Sequence, residues 1–407
     1  MRSYYPKLVN IAEAVKRIQN ICGNTPLELN SELTRRHNAI VYLKREDLNG
    51  IRSYKMRGAY NKLSSLSTKS VVTCSAGNHA QGVANSCNKL NIHCDVFMPS
   101  ATTQQKVNKV KHFGGAMVNI FLEGETFDDA FDIAKRYSID KKMDFIHPFD
   151  DEKVIEGQAT VGYELFAQMK GNPIDYIFLP IGGGGLAAGV SAYIKEVSPH
   201  TKIIGVEPLG AASMTAALKA DKLIKLDKIN TFVDGASIKQ VGQLNFPICK
   251  KNLDDVLVID EGHVCSKIIQ MYNENGLIIE PAGVLSLCAL DNYPKVSGTN
   301  VVCIISGGNS DIYRMPEILE RSLTYEGLKH YFKIDFAQKP GSLKQFVVSV
   351  LGPQDDIIYF RYSRTINKDM GPVVVGIQVK SKEDINQIIE KMEFLKLNYQ
   401  KLVGLPN

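Results

Sequence analysis

From residue 41 to residue 305, short apolar runs alternate with segments in which apolar residues recur at helical spacing. The clearest helical pattern lies in 80–90, where alanine, valine, cysteine and leucine side chains share one face. This alternation is typical of α/β proteins with mostly parallel sheets, and a total of about nine strands predicts two sheets rather than one. The runs interpreted as strands are 41–43, 71–73, 94–98, 118–121, 176–181, 203–206 and 301–305.

After about residue 320 the pattern changes to strand, helix, two strands, helix and a short closing strand. This β-α-β-β-α-β order is typical of a ferredoxin-like module. It is too short for catalytic machinery, so we interpret it as a regulatory domain, with a spacer or an assembly surface as the alternative. The predicted elements are strands 331–336, 357–362, 373–379 and 399–403, and helices 342–350 and 384–395.

The 407 residues exceed what one hydrophobic core usually serves, so we expect at least two domains. The net charge of +5 comes from basic and acidic residues that alternate, which argues against nucleic acid as a partner. No apolar run is long enough to cross a bilayer and the N-terminus lacks a signal-peptide core, so a cytoplasmic location without membrane binding is predicted. The eight cysteines include no C-x-x-C pair and the eight histidines no metal-ligand spacing, so we predict reduced thiols and no zinc site.

One lysine stands at the start of a predicted helix, in residues 53–58 (SYKMRG). Ser53 is well placed as the N-cap, which puts Lys55 in the first helical turn. The positive end of the helix dipole and the neighbouring Arg57 both disfavour the ammonium form. A lysine that is easily kept neutral suits a Schiff-base nucleophile, whereas the alternative is a solvated surface lysine.

A strand at 176–181 ends in four consecutive glycines, and a helix begins near Ala187. Glycines at a strand-to-helix turn let main-chain N–H groups converge on an anion, so the loop predicts a phosphate site. The spacing Gly-x-Gly-x-x-Ala also fits a dinucleotide fingerprint, with Glu207 as the ribose-binding acid, and a purely structural turn is a third interpretation. The loop residues are Gly182, Gly183, Gly184, Gly185 and Leu186.

Two further strand ends carry small polar residues. The strand 71–73 runs into 75–79 (SAGNH) ahead of a helix, which suits a second anion such as a carboxylate, although an ordinary helix cap explains it equally well. The strand 301–305 ends at Ser306, whose neutral hydroxyl can face a ligand. Glu280 opens another helix, and we weigh it only as a residue of the pocket.

Four predicted features point to one kind of chemistry. They are a candidate Schiff-base amine, a phosphate site, a carboxylate site and a neutral hydroxyl. A phosphorylated aldehyde cofactor that acts on an amino acid uses all four, and that cofactor is pyridoxal 5'-phosphate. The alternative from a different class is a nucleotide-binding or amino-acid-sensing protein without catalysis. Such a protein has no need of the lysine at position 55.

The loops at 53–58, 75–79 and 182–186 resemble the signature loops of the fold-type II pyridoxal phosphate enzymes, in the branch of the threonine and serine dehydratases. The resemblance extends to 44–48 (KREDL) and 234–236 (DGA). The C-terminal part of the chain is similar to the single ACT-like module of the short biosynthetic threonine dehydratases. This similarity rests on residues 336–341 (FAQKPG) and 371–373 (GPV).

The resemblance implies two doubly wound, mostly parallel sheets of the tryptophan synthase β type and an ACT-like α+β domain. The domains it implies are a catalytic domain 1–320, with a small subdomain at about 41–150 and a large one formed by 1–40 and 151–320, and a regulatory domain 321–407.

The resemblance also implies roles for single positions. Lys55 would form the Schiff base and later move the α-proton, and Asn78 would hydrogen-bond the phenolate oxygen of the cofactor. The glycine loop 182–186 would hold its phosphate, and Ser306 would face its pyridine nitrogen. The residues along the substrate carboxylate would be Ser75, Gly77 and His79.

The implied reaction is the dehydration and deamination of L-threonine to 2-oxobutanoate and ammonia, the first step of isoleucine biosynthesis. Isoleucine would inhibit and valine would activate through the appended domain, in a homotetramer. A serine dehydratase or racemase of the same fold is the alternative, although such enzymes commonly lack the extra domain. Relatives with a divalent metal near Glu207 carry a second acid where this chain has Ser213, so no divalent site is predicted and a monovalent ion is left open.

Overall fold

The computed structural model describes residues 4–362, 369–402 and 404. The chain forms two compact units, of which the first ends at Asp311 and the second begins at Ile312. The first unit contains two sheets that are covered by helices, and the second contains one sheet.

The larger sheet of the first unit has six strands. They are β1 (Leu27–Leu29), β2 (Ile40–Arg45), β7 (Tyr176–Pro180), β8 (Lys202–Pro208), β9 (Asp255–Ile259) and β10 (Asn300–Ile305). Their order is β1-β2-β10-β7-β8-β9, and all neighbours are parallel except β1, which runs antiparallel to β2. The central strands β7 and β10 are almost wholly buried, as expected for a sheet covered on both faces.

The smaller sheet has four parallel strands. They are β3 (Ser70–Cys74), β4 (His93–Met98), β5 (Val118–Leu122) and β6 (Asp144–Phe145), in the order β5-β4-β3-β6. The helices of the first unit are α1 (Leu8–Ile18), α2 (Ser31–His37), α3 (Lys55–Ser64), α4 (Asn78–Leu90), α5 (Gln104–Gly114), α6 (Phe127–Asp140), α7 (Glu152–Gln168), α8 (Gly185–Val197), α9 (Ser213–Ala220), α10 (Asn245–Asn252), α11 (Glu261–Asn275) and α12 (Pro281–Asp291).

Helix α7 is the support on which the helix of the candidate lysine lies. Asp151 caps α7 by accepting the N–H groups of Lys153 and Val154. A Cβ atom on Gly157 of α7 would lie 2.6 Å from the Cα atom of Gly58 in α3. The two helices can therefore approach this closely only because both positions are glycine.

The second unit has the predicted β-α-β-β-α-β order behind a leading helix. Its elements are α13 (Met315–Tyr325), β11 (Lys329–Ala337), α14 (Ser342–Val350), β12 (Asp356–Tyr362), β13 (Met370–Gln378), α15 (Asp384–Phe394) and β14 (Tyr399–Leu402). The antiparallel sheet has the order β12-β13-β11-β14. Its core is formed by buried side chains such as Phe332, Val375 and Ile388, which explains why the helices α14 and α15 share one face of the sheet.

The predicted fold class is confirmed, and every predicted strand is present, although Val403 lies outside the described residues. Three strands were missed: β1, β6 and β9. The expectation that the small subdomain begins near residue 41 is wrong, because β2 pairs in parallel with β10 along its whole length and thus belongs to the larger sheet. The boundary between the units lies before α13 rather than inside it.

All eight cysteines are buried. Among the described residues, no helix combines the length and the apolar character that a bilayer crossing requires.

Candidate active site

The carboxyl ends of β3, β7 and β10 supply three of the four parts of the candidate site. β3 leads to the loop before α4, β7 leads to the glycine loop before α8, and β10 leads to residues 306–309. The start of α3 supplies the fourth part, the lysine. Ligands of α/β proteins usually bind where parallel strands end, so this arrangement is the expected location of a site.

Lys55 is the first residue of α3, and it is partly buried. The prediction that Ser53 is the N-cap is wrong, because Tyr54 precedes the helix; the hydroxyl of Ser53 accepts the N–H of Lys55 at 3.4 Å from one position further back. The Nζ atom donates to the carbonyl oxygen of Pro148 at 2.8 Å. Burial lowers the pKa of Lys55 to about 8, although the carboxylate of Glu280 opposes the shift. At pH 7 about one tenth of the amine is therefore neutral, whereas the neutral fraction of an ordinary lysine is less than about one in a thousand.

The expectation that Arg57 destabilises the charged form of Lys55 is wrong. Arg57 donates to Glu46 at 2.8 Å and to Glu164 at 2.6 Å, and all three side chains lie in the interior. Lys44 joins the same network through Glu164 at 2.8 Å. Because two carboxylates neutralise Arg57, desolvation rather than this guanidinium controls Lys55. The network ties α3 to α7 and β2.

The glycine loop between β7 and α8 is crowded at every position. A Cβ atom added at Gly183 would lie 2.3 Å from Cγ of Phe149, and one added at Gly185 would lie 3.0 Å from the carbonyl oxygen of Phe149. One added at Gly182 would lie 3.0 Å from Cα of Ala236. Gly184 has a φ of 88°, which disfavours other residues. Within the described chain, no residue accepts the N–H groups of 183–185, so they remain for an anion at the N-terminus of α8.

The dinucleotide interpretation of this loop requires Glu207 to contact a ribose. Its carboxylate instead accepts the N–H groups of Met214 at 2.7 Å and Thr215 at 2.8 Å, and the hydroxyl of Thr215 at 2.7 Å. Glu207 thus caps α9, and its burial raises its pKa. In the part of the chain that the structure describes, no group of three or more His, Cys, Asp or Glu side chains is arranged to hold a metal ion.

The loop before α4 is half-exposed and rich in polar groups. The hydroxyl of Ser75 accepts the N–H of Gly77 at 3.1 Å. The imidazole of His79 is buried, its Nε2 atom lies 3.1 Å from the carbonyl oxygen of Ile146, and burial lowers its pKa to about 3. A carboxylate at this helix N-terminus would therefore meet the main-chain N–H of His79 rather than its ring.

Glu280 has a larger part in the site than the sequence indicated. Its carboxylate accepts the Nδ2–H of Asn78 at 2.7 Å and the main-chain N–H of Asn309 at 3.1 Å. The Nδ2–H of Asn309 donates to the side-chain Oδ1 of Asn78 at 2.8 Å. Burial raises the pKa of Glu280 to about 7, even though the hydrogen bond from Asn78 favours the charged form. These contacts fix the amide of Asn78 beside the loop that follows β10.

Ser306 lies at the end of β10 and is 2% exposed. Its carbonyl oxygen accepts the N–H of Tyr54 at 3.1 Å, and Ser53 forms an isolated antiparallel bridge with Gly307. A Cβ atom at Gly307 would lie 2.4 Å from the carboxylate of Glu280. The start of α3, the loop after β10 and Asn78 of α4 are thus connected and form part of one ring of loops.

Sequence reasoning missed the segment 147–150, which completes this ring. Pro148 accepts the hydrogen bond of Lys55, and Phe149 covers the glycine loop. The segment follows β6, which has only two residues and leaves no apolar run to detect. The signal that was available is its position directly after a strand end, where ligand contacts concentrate.

Two family models match the chain. The model described as Pyridoxal-phosphate dependent enzyme matches residues 18–307, and the model described as C-terminal regulatory domain of Threonine dehydratase matches residues 320–404. The chain is 47% identical over 401 residues to the biosynthetic L-threonine dehydratase IlvA of Halalkalibacterium halodurans, covering 97% of this chain and 96% of the relative. It is 46% identical over 395 residues to the protein of that name from Bacillus subtilis, covering 96% and 93%.

Solved structures of similar proteins cover most of the chain. The processed form of threonine deaminase isoform 2 from Solanum lycopersicum is 37% identical with a TM-score of 0.73, covering 79% of this chain and 90% of that one. The serine racemase of maize is 30% identical with a TM-score of 0.72, covering 79% and 99%.

Proposed function

Because the chain belongs to the pyridoxal-phosphate dependent enzymes, and has biosynthetic threonine dehydratases as relatives over nearly its whole length, we propose that it converts L-threonine to 2-oxobutanoate and ammonia. This reaction is the first step of isoleucine biosynthesis. The observation that carries the proposal is the amine of Lys55, which is connected through Pro148 and its neighbour Phe149 to a loop of unused N–H groups.

The described residues fit pyridoxal 5'-phosphate. The loop 182–186 offers main-chain donors to a phosphate, and its glycines let Phe149, Ala236 and Asn245 pack directly against the main chain. Asn78 would contact the phenolate oxygen, and Ser306 would face the ring nitrogen. When bound, the cofactor supplies an aldehyde for the amino group of the substrate and a ring that withdraws electrons from its α-carbon.

Lys55 is the residue we assign to both chemical tasks. Its lowered pKa makes the neutral, nucleophilic form of Nζ far more abundant near neutral pH than in an ordinary lysine, and the same atom would then accept the α-proton of the substrate. The hydrogen bond to Pro148 holds Nζ at the inner end of the site. Loss of the β-hydroxyl as water and addition of water after release give the 2-oxoacid and ammonia.

The loop before α4 is the part we assign to the carboxylate of the substrate. Ser75 supplies a hydroxyl, and the turn through Gly77 directs the N–H groups of Asn78 and His79 outward at the N-terminus of α4. Half-exposure of this loop lets a substrate enter and leave, whereas the glycine loop behind it is buried.

We assign regulation to the second unit, which matches a family of regulatory domains. Isoleucine would act there as a feedback inhibitor and valine as an activator, in a cytoplasmic homotetramer with no nucleic acid or membrane partner. The full chain should lose threonine activity as isoleucine is added, and a chain that ends at Asp311 should retain activity without that response. An unchanged response in the shortened chain would place the effector site in the first unit instead.

The test of the proposed activity is an absorbance spectrum of the loaded protein, combined with release of 2-oxoacid from L-threonine and L-serine. We expect a visible cofactor band and faster turnover of threonine, both lost in Lys55→Ala and kept in Lys89→Ala, which changes an exposed lysine of α4. Faster turnover of serine would support the assigned cofactor but would change the assigned substrate from threonine to serine. No band with added cofactor would contradict the enzyme assignment.

A further inference from the structure

We propose that Phe149 determines the specificity of the site for an amino acid with a methyl group on its β-carbon, and so favours threonine over serine. The inference rests on the proposed function and names a residue for its substrate preference. It starts from the position of one aromatic side chain between the candidate lysine and the glycine loop.

Phe149 touches both ends of the candidate site. Its chain neighbour Pro148 accepts the hydrogen bond of the Lys55 amine at 2.8 Å. Its ring lies against the bare Cα of Gly183, since a Cβ atom there would approach three ring carbons to 2.3–2.4 Å. Its main chain lies against Gly185, where a Cβ atom would be 3.0 Å from the Phe149 carbonyl oxygen. A ligand that reaches from the amine to the N–H groups of the loop must pass this ring.

The position of Phe149 is fixed by its neighbours on both sides. Its carbonyl oxygen accepts the Nδ2–H of Asn245 at 3.0 Å, and the same amide donates to the carbonyl oxygen of Gly183 at 2.8 Å. The carboxylate of Asp150 accepts the N–H of Leu244 at 2.8 Å. The ring meets the imidazole of His147 edge to face, with centroids 4.7 Å apart and an interplanar angle of 89°.

The ring is nonetheless only partly buried, which leaves an apolar surface for a ligand. The other groups assigned to the site are polar: an amine, a carboxamide, two hydroxyls, main-chain N–H groups and the carboxyl of Glu280. Threonine differs from serine by one methyl group, which gains free energy only by leaving water for contact with apolar atoms. Phe149 supplies such atoms next to Pro148, which accepts the hydrogen bond of the Lys55 amine.

The size of the expected preference follows from apolar recognition in general. One additional methylene or methyl group in an apolar pocket changes kcat/KM by about 10- to 200-fold. Because Phe149 forms one wall of a partly open site, we expect the lower end, about tenfold, to depend on its ring.

The experiment compares Phe149→Ala and Phe149→Leu with the unchanged protein. We expect the ratio of kcat/KM for threonine to that for serine to fall by about tenfold in Phe149→Ala, because kcat/KM for threonine falls. The ratio should fall by less in Phe149→Leu, which keeps apolar atoms at this position. Phe166→Ala, which removes a 40% exposed ring of α7, is the matched control and should leave the ratio unchanged.

A second measurement does not depend on turnover. L-2-aminobutanoate and L-alanine differ by one methyl group and have no leaving group, so their dissociation constants can be read from the cofactor spectrum. We expect the loaded protein to bind aminobutanoate about tenfold more tightly than alanine, and Phe149→Ala or Phe149→Leu to reduce that difference. The cofactor dissociation constant is measured in parallel from the same absorbance band.

Two results would overturn the inference. One is an unchanged threonine-to-serine ratio in the variants, with both activities lowered equally or only cofactor affinity lowered, because Phe149 would then merely shape the glycine loop. The other is an unchanged aminobutanoate-to-alanine difference. If the unchanged protein deaminates neither hydroxy amino acid, the proposed function fails, while the binding pair still decides the role of Phe149.

Discussion

The N-termini of α8 and α4 both present main-chain N–H groups to a ligand, yet they are built in opposite ways. The loop before α8 contains only glycines and is almost entirely buried, and a Cβ atom added to any of them would lie 3.0 Å or less from a neighbouring atom. The loop before α4 contains Ser75, Asn78 and His79, is half-exposed, and has open space around Gly77, where an added Cβ would meet nothing within 4 Å.

The difference indicates two kinds of ligand. A buried loop whose shape is set by Phe149, Ala236 and Asn245 cannot adjust, so it suits a phosphate that stays bound. A half-exposed loop with a hydroxyl and an amide can exchange its partner for water, so it suits a carboxylate that arrives and leaves with each turnover. Changes in the first loop should thus affect the cofactor, and changes in the second should affect the substrate.

Among the changes that test the difference between the two loops, Gly183→Ala should give the largest effect, a loss of cofactor affinity. Its Cβ would lie 2.3 Å from Cγ of Phe149, whose main chain is held by Asn245, so the ring or the loop must move. Overpacking of this kind costs about 1–3 kcal/mol, which corresponds to about 5- to 150-fold in cofactor affinity. The measurement is a titration of the cofactor-free protein, followed by the absorbance band.

The matched control for this change is Gly50→Ala, because a Cβ at Gly50 has nothing within 4 Å. It should bind the cofactor as the unchanged protein does, and thermal unfolding should show both variants folded. Undiminished cofactor affinity in Gly183→Ala would mean that the loop before α8 is not the phosphate site.

The pH dependence of cofactor capture should separate the lysine from the phosphate loop. Burial lowers the pKa of Lys55 to about 8, and only the neutral amine attacks an aldehyde. The rate of capture should therefore rise with pH by about tenfold per unit below that value and level off above it. Rapid-mixing absorbance over about pH 6 to 9 measures this rate.

Pyridoxine 5'-phosphate is the control ligand, because it has the phosphate but no aldehyde. Its binding, followed by competition with the cofactor, should lack the rise that Lys55 causes. If both compounds followed the same pH profile, titration of the phosphate or its loop, rather than of the amine, would govern capture.

Features that depend on neighbouring residues in the sequence, such as strands, could be predicted, whereas features that depend on residues far apart in the sequence could not. The central strands were predictable because their apolar runs are long and bounded by loop residues, whereas β6 has two residues and β9 is a partly exposed edge strand. The missed β6 concealed the segment that carries Phe149.

Long-range partners were not predictable from one sequence. The state of Arg57 depends on Glu164, which lies 107 positions away, and the role of Glu280 depends on Asn78, which lies 202 positions away. Local spacing indicated a lysine at a helix start, but only the fold shows that burial, rather than Arg57, controls its pKa.

Ser75→Ala should give the smallest effect and the most selective one. The hydroxyl accepts the N–H of Gly77 at 3.1 Å, and a hydrogen bond of this kind contributes about 1 kcal/mol net, or about fivefold. We expect KM for threonine to rise by about that factor while the cofactor dissociation constant stays unchanged, because the loop before α8 is intact.

Ser65→Ala is the matched control, since that exposed hydroxyl donates to the carbonyl oxygen of Lys62 at the end of α3. If Ser75→Ala weakened the cofactor as much as the substrate, the two loops would share one ligand, and the division between a permanent and an exchanging anion would not hold.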